Sequence, residues 1–311
     1  MNAEVFAEWF RRQGHKVLQT ESSYWVNFGP GVYQAFPYHY LVNPSDKEIA
    51  DLFKRAKAIG LRYSAPSENN QGCPSYHVVL NQKNYDISIL DNRTRQNIRR
   101  GLKNCRIEQI PLSRLAEEGL LLIKDTVVRQ NRKPNSREEN WNRICASAYD
   151  LPGFEAWGAL VDNRLAGFLL TFQMEHWCCM LYQYSLSDFL PARINNALCY
   201  IVTKNFIDRP DIKSILYTIQ SLDAPCTVDE FKFRMGYIAK PVRQRIVLHP
   251  WLRIVTNGTS SKLIDLLKRC LPGNSLVAKT EGMLRFYQEQ QKLTKEQICP
   301  NLKNGPERFN E

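Results

Sequence analysis

The sequence lacks the patterns typical of metal sites and of several common enzyme classes. Its nine cysteines include no C-x-x-C pair, and its five histidines are too dispersed to indicate a metal site. The motifs G-x-S-x-G, G-x-G-x-x-G and H-E-x-x-H and the Walker phosphate loop are also missing. We therefore expect mostly reduced, buried cysteines, no metal, and no chemistry built on these motifs.

Long apolar runs are missing as well. No stretch reaches the roughly 18 apolar residues of a membrane helix, and the first residues, MNAEVFAEWFRRQGHK, contain no apolar core of signal-peptide length. We expect a cytoplasmic, soluble protein without a membrane span. The two N-x-T sequons, at Asn92 and Asn257, are then chance matches.

What is present is a chain long and apolar enough for two cores. Its 311 residues are 43% hydrophobic, and this length favours two domains over one. The formal charge of +11 predicts a positive field that attracts phosphates of a nucleotide cofactor, RNA, an anionic lipid or a glycan. Charge alone does not choose among these partners.

The first half has the pattern of an α/β unit. Residues 23–37 predict two strands around a Gly29-Pro30-Gly31 turn. A helix follows with Ser45 as N-cap, Glu48 completing a capping box and Gly60 as the stop. Two further strands are predicted, SYHVVLN and YDISIL.

A basic segment, RTRQNIRRGLKNCR at residues 93–106, has six positive charges and no acid. Ile98, Leu102 and Cys105 recur at helical spacing on one side, with cations on another, which predicts an amphipathic helix. Such cations suit phosphate contact, and a solvated helix face is the alternative. The phosphate-binding candidates are Arg95, Arg99 and Lys103.

The second half alternates strands and helices more regularly. Helical patterns at 113–133 and 136–149 precede a three-stranded meander, EAWGALVD, LAGFLLTFQ and WCCMLYQYS. A turn and a long helix come next, in SDFLPARINNALCYIVTKNFI. The strand KSILYTIQS, the short helix TVDEFKFRMG and the strand KPVRQRIVLH complete this half.

This order of elements resembles the GNAT acyltransferase superfamily and, more specifically, its FemAB-like branch. The residues that carry the resemblance are the basic run Arg93 to Arg106, the Gly167-Phe168 pair after a turn, and FKFRMGYIAKPV near the end. The resemblance implies an α+β protein with two tandem GNAT-like domains, each a mixed, mostly antiparallel sheet flanked by helices. We place the domains at 1–108 and 109–252, with a helical extension and frayed tail at 253–311.

The resemblance also implies an activity, that of an acyl- or aminoacyltransferase. The donor is then an acyl-CoA thioester or an aminoacyl-tRNA ester, so that tRNA is a possible partner. The acceptor is an amine or hydroxyl on a small molecule or a peptidoglycan-type substrate. A non-catalytic GNAT-fold module that binds RNA or another polyanion is the rival interpretation.

In GNAT proteins a loop at the start of a helix holds the donor pyrophosphate with its backbone N–H groups. The matching stretch here, RINNAL, implies donor binding at Arg193, Asn195, Asn196 and Ala197. Asn196 and Leu198 stand where the family has glycine or alanine, and Leu leaves less room for a phosphate. A plain helix start is the alternative.

Further candidates follow from the same resemblance and from the chemistry of acyl transfer. Lys232 lies where Fem-type enzymes have lysine, and its ammonium suits stabilisation of a developing oxyanion. A solvated helix charge is the alternative. Asp223 is the candidate general base, unless it is only a turn carboxylate that caps TVDEF. The residues expected to edge the cleft between two parallel strands are Tyr217, a third catalytic candidate, and Gln183, Ser185 and Gln220.

Overall fold

All eleven described strands belong to one sheet in a computed structural model of the protein. The structure describes residues 2–29, 31–130, 140–222, 226–255 and 275–303. The strands are β1 (Val17–Gln19), β2 (Tyr24–Gly29), β3 (Val32–Phe36), β4 (Gly60–Ala65), β5 (Cys73–Leu80), β6 (Arg106–Ile110), β7 (Phe154–Val161), β8 (Arg164–Met174), β9 (Trp177–Ser185), β10 (Ser214–Ile219) and β11 (Ile238–Leu248).

Helices cover this sheet. The helices are α1 (Ala3–Arg12), α2 (Asp46–Ala56), α3 (Asn92–Asn104), α4 (Leu112–Arg129), α5 (Trp141–Ala148), α6 (Ile194–Ile207), α7 (Glu230–Arg234), α8 (Pro250–Val255), α9 (Ser275–Glu289) and α10 (Pro300–Lys303). Within the described ranges, no helix has both the length and the apolar character of a bilayer-spanning segment.

The sheet repeats one pattern in its two halves. Its order is β1-β2-β3-β4-β11-β5-β10-β9-β8-β7-β6, and all neighbours are antiparallel except β3–β4 and β9–β10. Each parallel pair is joined through a helix, α2 in the first half and α6 in the second. This repetition confirms the predicted mixed, mostly antiparallel sheet flanked by helices.

The two halves are joined by an exchange of their last strands. Strand β5 of the first half pairs with β10 of the second, and β11 of the second half pairs with β4 of the first. The two exchanged strands also pair with each other at the centre of the sheet. The proposed boundaries after residues 108 and 252 fall inside β6 and α8, and the division into domains stays a prediction.

The meander of the second half forms where the sequence predicts it, because its turns have suitable residues. Asp162 and Asn163, both with positive φ (49° and 63°), connect β7 to β8, and Glu175 (φ 51°) lies between β8 and β9. Strand β8 is buried from Leu165 onwards. Helices α3 and α6 cover one face of this meander, and α1, α4 and α5 cover the other.

The basic helix forms as α3 and packs on α6 at one very close contact. Ile98 is fully buried there, as predicted, and Cys105 is 9% exposed. Leu102 was expected on the same apolar side but is 39% exposed, so this part of the prediction is wrong. Gly101 takes the contact instead, because a Cβ atom there would lie 2.5 Å from the Arg193 carbonyl oxygen.

Two other predictions in the first half are wrong. YDISIL is a single 3-10 turn, Ile87–Ile89, rather than a strand, because the Asp86 side chain accepts a hydrogen bond from the Ser88 N–H. Helix α2 starts after Ser45 as predicted but ends at Ala56, before a left-handed Lys57. Three further elements, α1, β1 and β4, were not predicted from the sequence.

The segment after α9 completes the sheet where a strand is missing. Strand β11 pairs with β5 only as far as Gln244. Beyond that point the Gln290 side chain bonds both backbone groups of Ile246: its Oε1 accepts from the Ile246 N–H (3.2 Å) and its Nε2 donates to the Ile246 carbonyl (2.7 Å). The predicted C-terminal extension is therefore attached to the sheet through this residue.

Replacing Gln290 with alanine should lower the free energy of unfolding by about 1–3 kcal/mol, because two backbone groups of the buried Ile246 lose their partner. Chemical denaturation measures this change. Gln291→Ala is the matched control, since its exposed side chain makes only a 3.5 Å contact with the Tyr287 carbonyl. Equal stabilities of the two variants would contradict this role of Gln290.

Candidate active site

The parallel strands β9 and β10 run side by side briefly and then separate. Their last shared pair joins Cys179 to Leu216. Just beyond it each strand has an extra residue, Leu181 in the ladder of β9 with β8 and Tyr217 in the ladder of β10 with β5. Such bulges bend a strand and interrupt pairing, so the two strands diverge at their carboxyl ends, where ligands bind in open sheets.

A cavity of about 770 Å³ lies at this separation. Its wall is formed by the middle of β9, the end of β10, the starts of β3 and β4, and α9. Two predicted site residues, Tyr217 and Gln220, belong to this wall. The volume lies within the range of pockets that enclose a small-molecule ligand.

Tyr217 connects the cavity to Lys232 and also spans the gap between the strands. Its hydroxyl on β10 donates a hydrogen bond to the Gln183 side-chain oxygen on β9. The Lys232 Nζ atom lies 5.2 Å from the centre of the Tyr217 ring, within cation–π distance. Burial raises the pKa of Tyr217 well above its ordinary value, so this phenol stays protonated and remains a donor.

A buried carboxylate, that of Asp229, holds the Lys232 ammonium in place. The Lys232 side chain is only 16% exposed and forms an ion pair with Asp229, whose side chain is 2% exposed. The second carboxylate oxygen accepts from the Tyr76 hydroxyl at 2.7 Å. Asn301 on α10 donates to the same hydroxyl at 2.7 Å. These contacts fix the position of the ammonium.

The local sequence explains this arrangement. Residues Cys226–Asp229 form one 3-10 turn, and α7 continues from it, so that Asp229 and Lys232 are three residues apart on one helical surface. The left-handed Gly236 (φ 88°) then ends the helix, as the sequence predicts. Met235 is fully buried and anchors the turn.

The start of α6, where donor binding was predicted, is partly covered by protein. Arg193 is exposed and left-handed (φ 62°), whereas Ala197 and Leu198 are fully buried. A Cβ atom on Gly101 of α3 would lie 2.8 Å from the Ala197 Cβ. Helix α3 therefore closes one side of the first turn of α6, and the donor-binding role of these residues stays a prediction.

Other predicted residues near α6 make hydrogen bonds within the protein. The Asn195 side-chain amide donates to the Ser185 hydroxyl at 3.1 Å, and Asn196 donates to the Met235 sulfur at 3.7 Å. Ser185 is 1% exposed, and its carbonyl accepts from the Thr126 hydroxyl. These contacts tie the end of β9 to α4 and α6.

The remaining predicted residues lie elsewhere. Arg95, Arg99 and Lys103 are on α3, which contributes no residue to the cavity wall. Asp223 lies outside the described residues. Four residues near the site were not predicted from the sequence: Asp229, Tyr76, Asn301 and Arg62. Only Asp229 left a signal, its spacing of three residues from Lys232.

A cysteine–histidine contact at the cavity lacks the properties of a nucleophilic pair. The Cys179 sulfur is 3.8 Å from His39 Nδ1. Burial raises the pKa of Cys179 to about 12 and lowers the pKa of His39 to about 3, so both groups stay neutral. In the described part of the chain, no three His, Cys, Asp or Glu side chains are grouped to hold a metal ion.

The parallel pair of the first half, β3 and β4, borders a second, much smaller void. Strands β3 and β4 share pairs up to Gln34 and Arg62. Besides the large cavity, which both residues also line, they border a second void of only about 10 Å³, which is room for about one water molecule. The ligand-sized cavity is therefore the one that reaches the separation of β9 and β10, and this second void is too small for a ligand.

Comparison with known proteins identifies the fold. No family model and no curated protein matches this sequence. FemX is 9% identical, with a TM-score of 0.54 over 81% of this chain and 93% of FemX. L-PGS from Bacillus licheniformis is 10% identical, with a TM-score of 0.50 over 78% of this chain and 90% of its own.

A third solved structure is the C-terminal domain of a protein described as a lysylphosphatidylglycerol synthetase from Agrobacterium fabrum. It is 9% identical, with a TM-score of 0.52 over 78% of this chain and 87% of that domain. These similarities and the repeated sheet define the tandem GNAT fold. The predicted relationship to FemAB-like proteins is thus confirmed at the level of fold. Sequence identities of 9 and 10% give no information about the substrates of this protein.

Replacing Tyr217 with phenylalanine should lower the free energy of unfolding by about 1 kcal/mol, because the bond that spans the strand gap is lost while the ring stays packed. Denaturant titration measures the change. Tyr149→Phe is the control, since Tyr149 is 75% exposed. If both variants are as stable as the natural protein, the bridge to Gln183 does not hold the strands together.

Proposed function

We propose that the protein is an acyl- or aminoacyltransferase that transfers an acyl group from an activated thioester or ester to an amine or hydroxyl acceptor. The observation that supports this proposal best is the Lys232 ammonium, held by Asp229 against a tyrosine that lines the cavity. A fixed cation beside a largely apolar cavity is suited to stabilise negative charge that develops during acyl transfer.

Each residue has a distinct role in the proposal. Lys232 stabilises the oxyanion or the leaving group, and Asp229 with Tyr76 positions the ammonium before the substrate arrives. Tyr217 orders the gap between the strands. Asp223 remains the candidate base that accepts the proton of the attacking amine.

Two carriers of the acyl group, coenzyme A and tRNA, are compatible with the proposal. An acyl-CoA would place its pyrophosphate at the start of α6, where Arg193 is the exposed cation and α3 covers one side. An aminoacyl-tRNA would instead use the cations of α3. The acceptor class, an amine or hydroxyl that includes peptidoglycan-type amines, follows from the resemblance to FemAB-like proteins.

The experiment combines donors and acceptors in one screen. Labelled acetyl-CoA, longer acyl-CoAs and charged tRNAs are each incubated with the protein and a panel of amines, and acylated products are detected by mass spectrometry. At least one donor should give a saturable product that Lys232→Met reduces. Saturable tRNA binding without transfer from any donor would overturn the enzyme proposal in favour of a binding module.

The alternative of polyanion binding is favoured by one observation. On α3, Arg93, Arg99, Arg100 and Lys103 are exposed, and none of them forms an ion pair with a described residue. Such a surface attracts phosphates whether or not transfer takes place. It is compatible with a tRNA donor as well as with a non-catalytic module.

The double variant Arg99→Gln/Lys103→Gln should weaken tRNA binding and reduce the slope of log K against log salt by about 1 to 2, because two phosphate contacts are lost. Filter binding at several salt concentrations measures this slope. Lys47→Gln/Lys124→Gln removes two exposed cations from α2 and α4 and is the charge-matched control. An equal loss in both double variants would assign the effect to net charge and not to α3.

A further inference from the structure

The cavity between the two halves has a wall that is far more apolar than the proposed transfer chemistry requires. Its volume is about 770 Å³. Much of the wall consists of aliphatic and aromatic side chains: Phe28, Val32, Ile59, Leu248, Met283 and Leu284. A surface of this kind gains affinity from hydrocarbon that leaves water, by an amount that grows with the area buried.

The charged groups of this wall are all positive. Arg62 on β4 and Lys279 on α9 line the cavity, and among the described lining residues there is no aspartate or glutamate. The Arg62 guanidinium donates to the Gln220 carbonyl at 2.9 Å, which holds it at the wall. The pKa of nearby His77 is lowered to about 4, first by burial and then by the charges of Lys240 and Arg62. The positive charge of Arg62 thus affects the ionisation of a neighbouring side chain, His77.

We propose that this cavity binds a single-chain amphiphile, a hydrocarbon chain with one anionic head group. The chain would lie along the apolar wall, and a carboxylate or phosphate head would contact Arg62, whose fork of N–H donors suits either group. The proposal concerns binding and needs neither Lys232 nor an acyl donor. It adds a ligand class that the proposed transfer reaction does not specify.

The first measurement is a chain-length series on the natural protein. Octanoate, decanoate and dodecanoate are titrated below their micellar concentrations by isothermal calorimetry, and the stoichiometry is read by native mass spectrometry. Each added methylene should tighten the Kd by about three- to fourfold, the factor for a buried methylene. Affinity that does not change with chain length would overturn the proposal.

The second measurement tests the head group. Dodecanoate and dodecyl phosphate should each bind about tenfold more tightly than the uncharged dodecyl maltoside, because a charged head gains a charge-assisted hydrogen bond. Arg62→Gln should remove most of this preference while retaining the dependence on chain length. Of the two anions, the tighter one indicates whether a free carboxylate or a phosphate ester is preferred. Equal binding of all three compounds would contradict the assignment of an anionic head.

The third measurement locates the ligand. Met283→Trp and Leu284→Trp each fill the cavity and should abolish dodecanoate binding, whereas Leu121→Trp, at a 56% exposed position on α4, should not. Unchanged affinity in a folded Met283→Trp or Leu284→Trp variant would place the ligand elsewhere. If neither variant folds, the chain-length series still decides. All three measurements use no acyl donor and detect no transfer, so a failure of the proposed reaction is distinguishable from a failure of this proposal.

Discussion

Replacing Lys232 with methionine should lower kcat about 100- to 1,000-fold with the donor and acceptor pair that the screen identifies. The reason is that a fixed ammonium beside the strand gap can stabilise transition-state charge, and a methionine of similar length cannot. Steady-state kinetics measure the effect, and KM should change much less than kcat if the interaction forms mainly in the transition state.

The same variant should also be less stable, which requires a control. Methionine leaves the carboxylate of Asp229 buried without its cation, at a cost of about 3 kcal/mol because Tyr76 still donates to it. The double variant Lys232→Met/Asp229→Asn removes this buried charge. We expect it to recover most of the stability and none of the activity. A double variant that is both stable and active would exclude Lys232 from catalysis.

Gly101→Val should be the most destabilising single substitution in α3, with a loss of about 3 kcal/mol or more. A Cβ atom at this position would lie 2.5 Å from the Arg193 carbonyl oxygen, and a backbone atom cannot move aside as a flexible side chain can. Thermal and urea unfolding measure the loss. The displacement of α3 from α6 should appear as faster amide exchange at the start of α6.

Arg100→Ala, one residue away on the exposed side of α3, is the control. Substitutions of this kind usually change the free energy of unfolding by less than about 0.5 kcal/mol. A comparable loss in both variants would mean that α3 is sensitive throughout. A stable Gly101→Val would mean that the close approach of α3 to α6 is not required for folding.

Local features of the fold were predictable because their determinants are adjacent in the chain. The β7–β8 turn needs residues that tolerate positive φ, and Asp162-Asn163 supplies them. The Ser45 cap was recognised from the capping box, and its hydroxyl accepts from the Glu48 N–H at 3.2 Å. The predicted short helix TVDEFKFRMG likewise ends at Gly236, whose φ is 88°.

The exchange of β5 and β11 was not predictable from local patterns. Hydrophobic alternation in KPVRQRIVLH predicts a strand but does not specify its neighbours. Ile246 pairs with Arg62, which lies far away in the sequence. Hydrophobic periodicity is a local signal and does not indicate such distant partners. The sequence also does not reveal why residue 101 is glycine, since only the packed structure shows that a Cβ atom there would collide with the Arg193 carbonyl oxygen.

The residues of the candidate site also fall into two groups, those that were predicted from the sequence and those that were not. Tyr217, Gln183 and Lys232 were proposed from the sequence, and the structure brings them together around the strand gap. The partners that hold the ammonium came from distant segments: Tyr76 is on β5, and Asn301 is close to the end of the described chain. The functional roles of Tyr217, Gln183 and Lys232 stay predictions, as does the role of Asp223.

The crossed placement of β5 and β11 has a consequence for how the protein is made. While the ribosome is still synthesising the second half, β4 lacks its neighbour β11, and β5 lacks both of its neighbours, β11 and β10. Unpaired strand edges recruit other chains, which favours aggregation of incomplete products. The nascent chain therefore passes through a vulnerable period that ends only when residues 238–248 emerge and close the sheet.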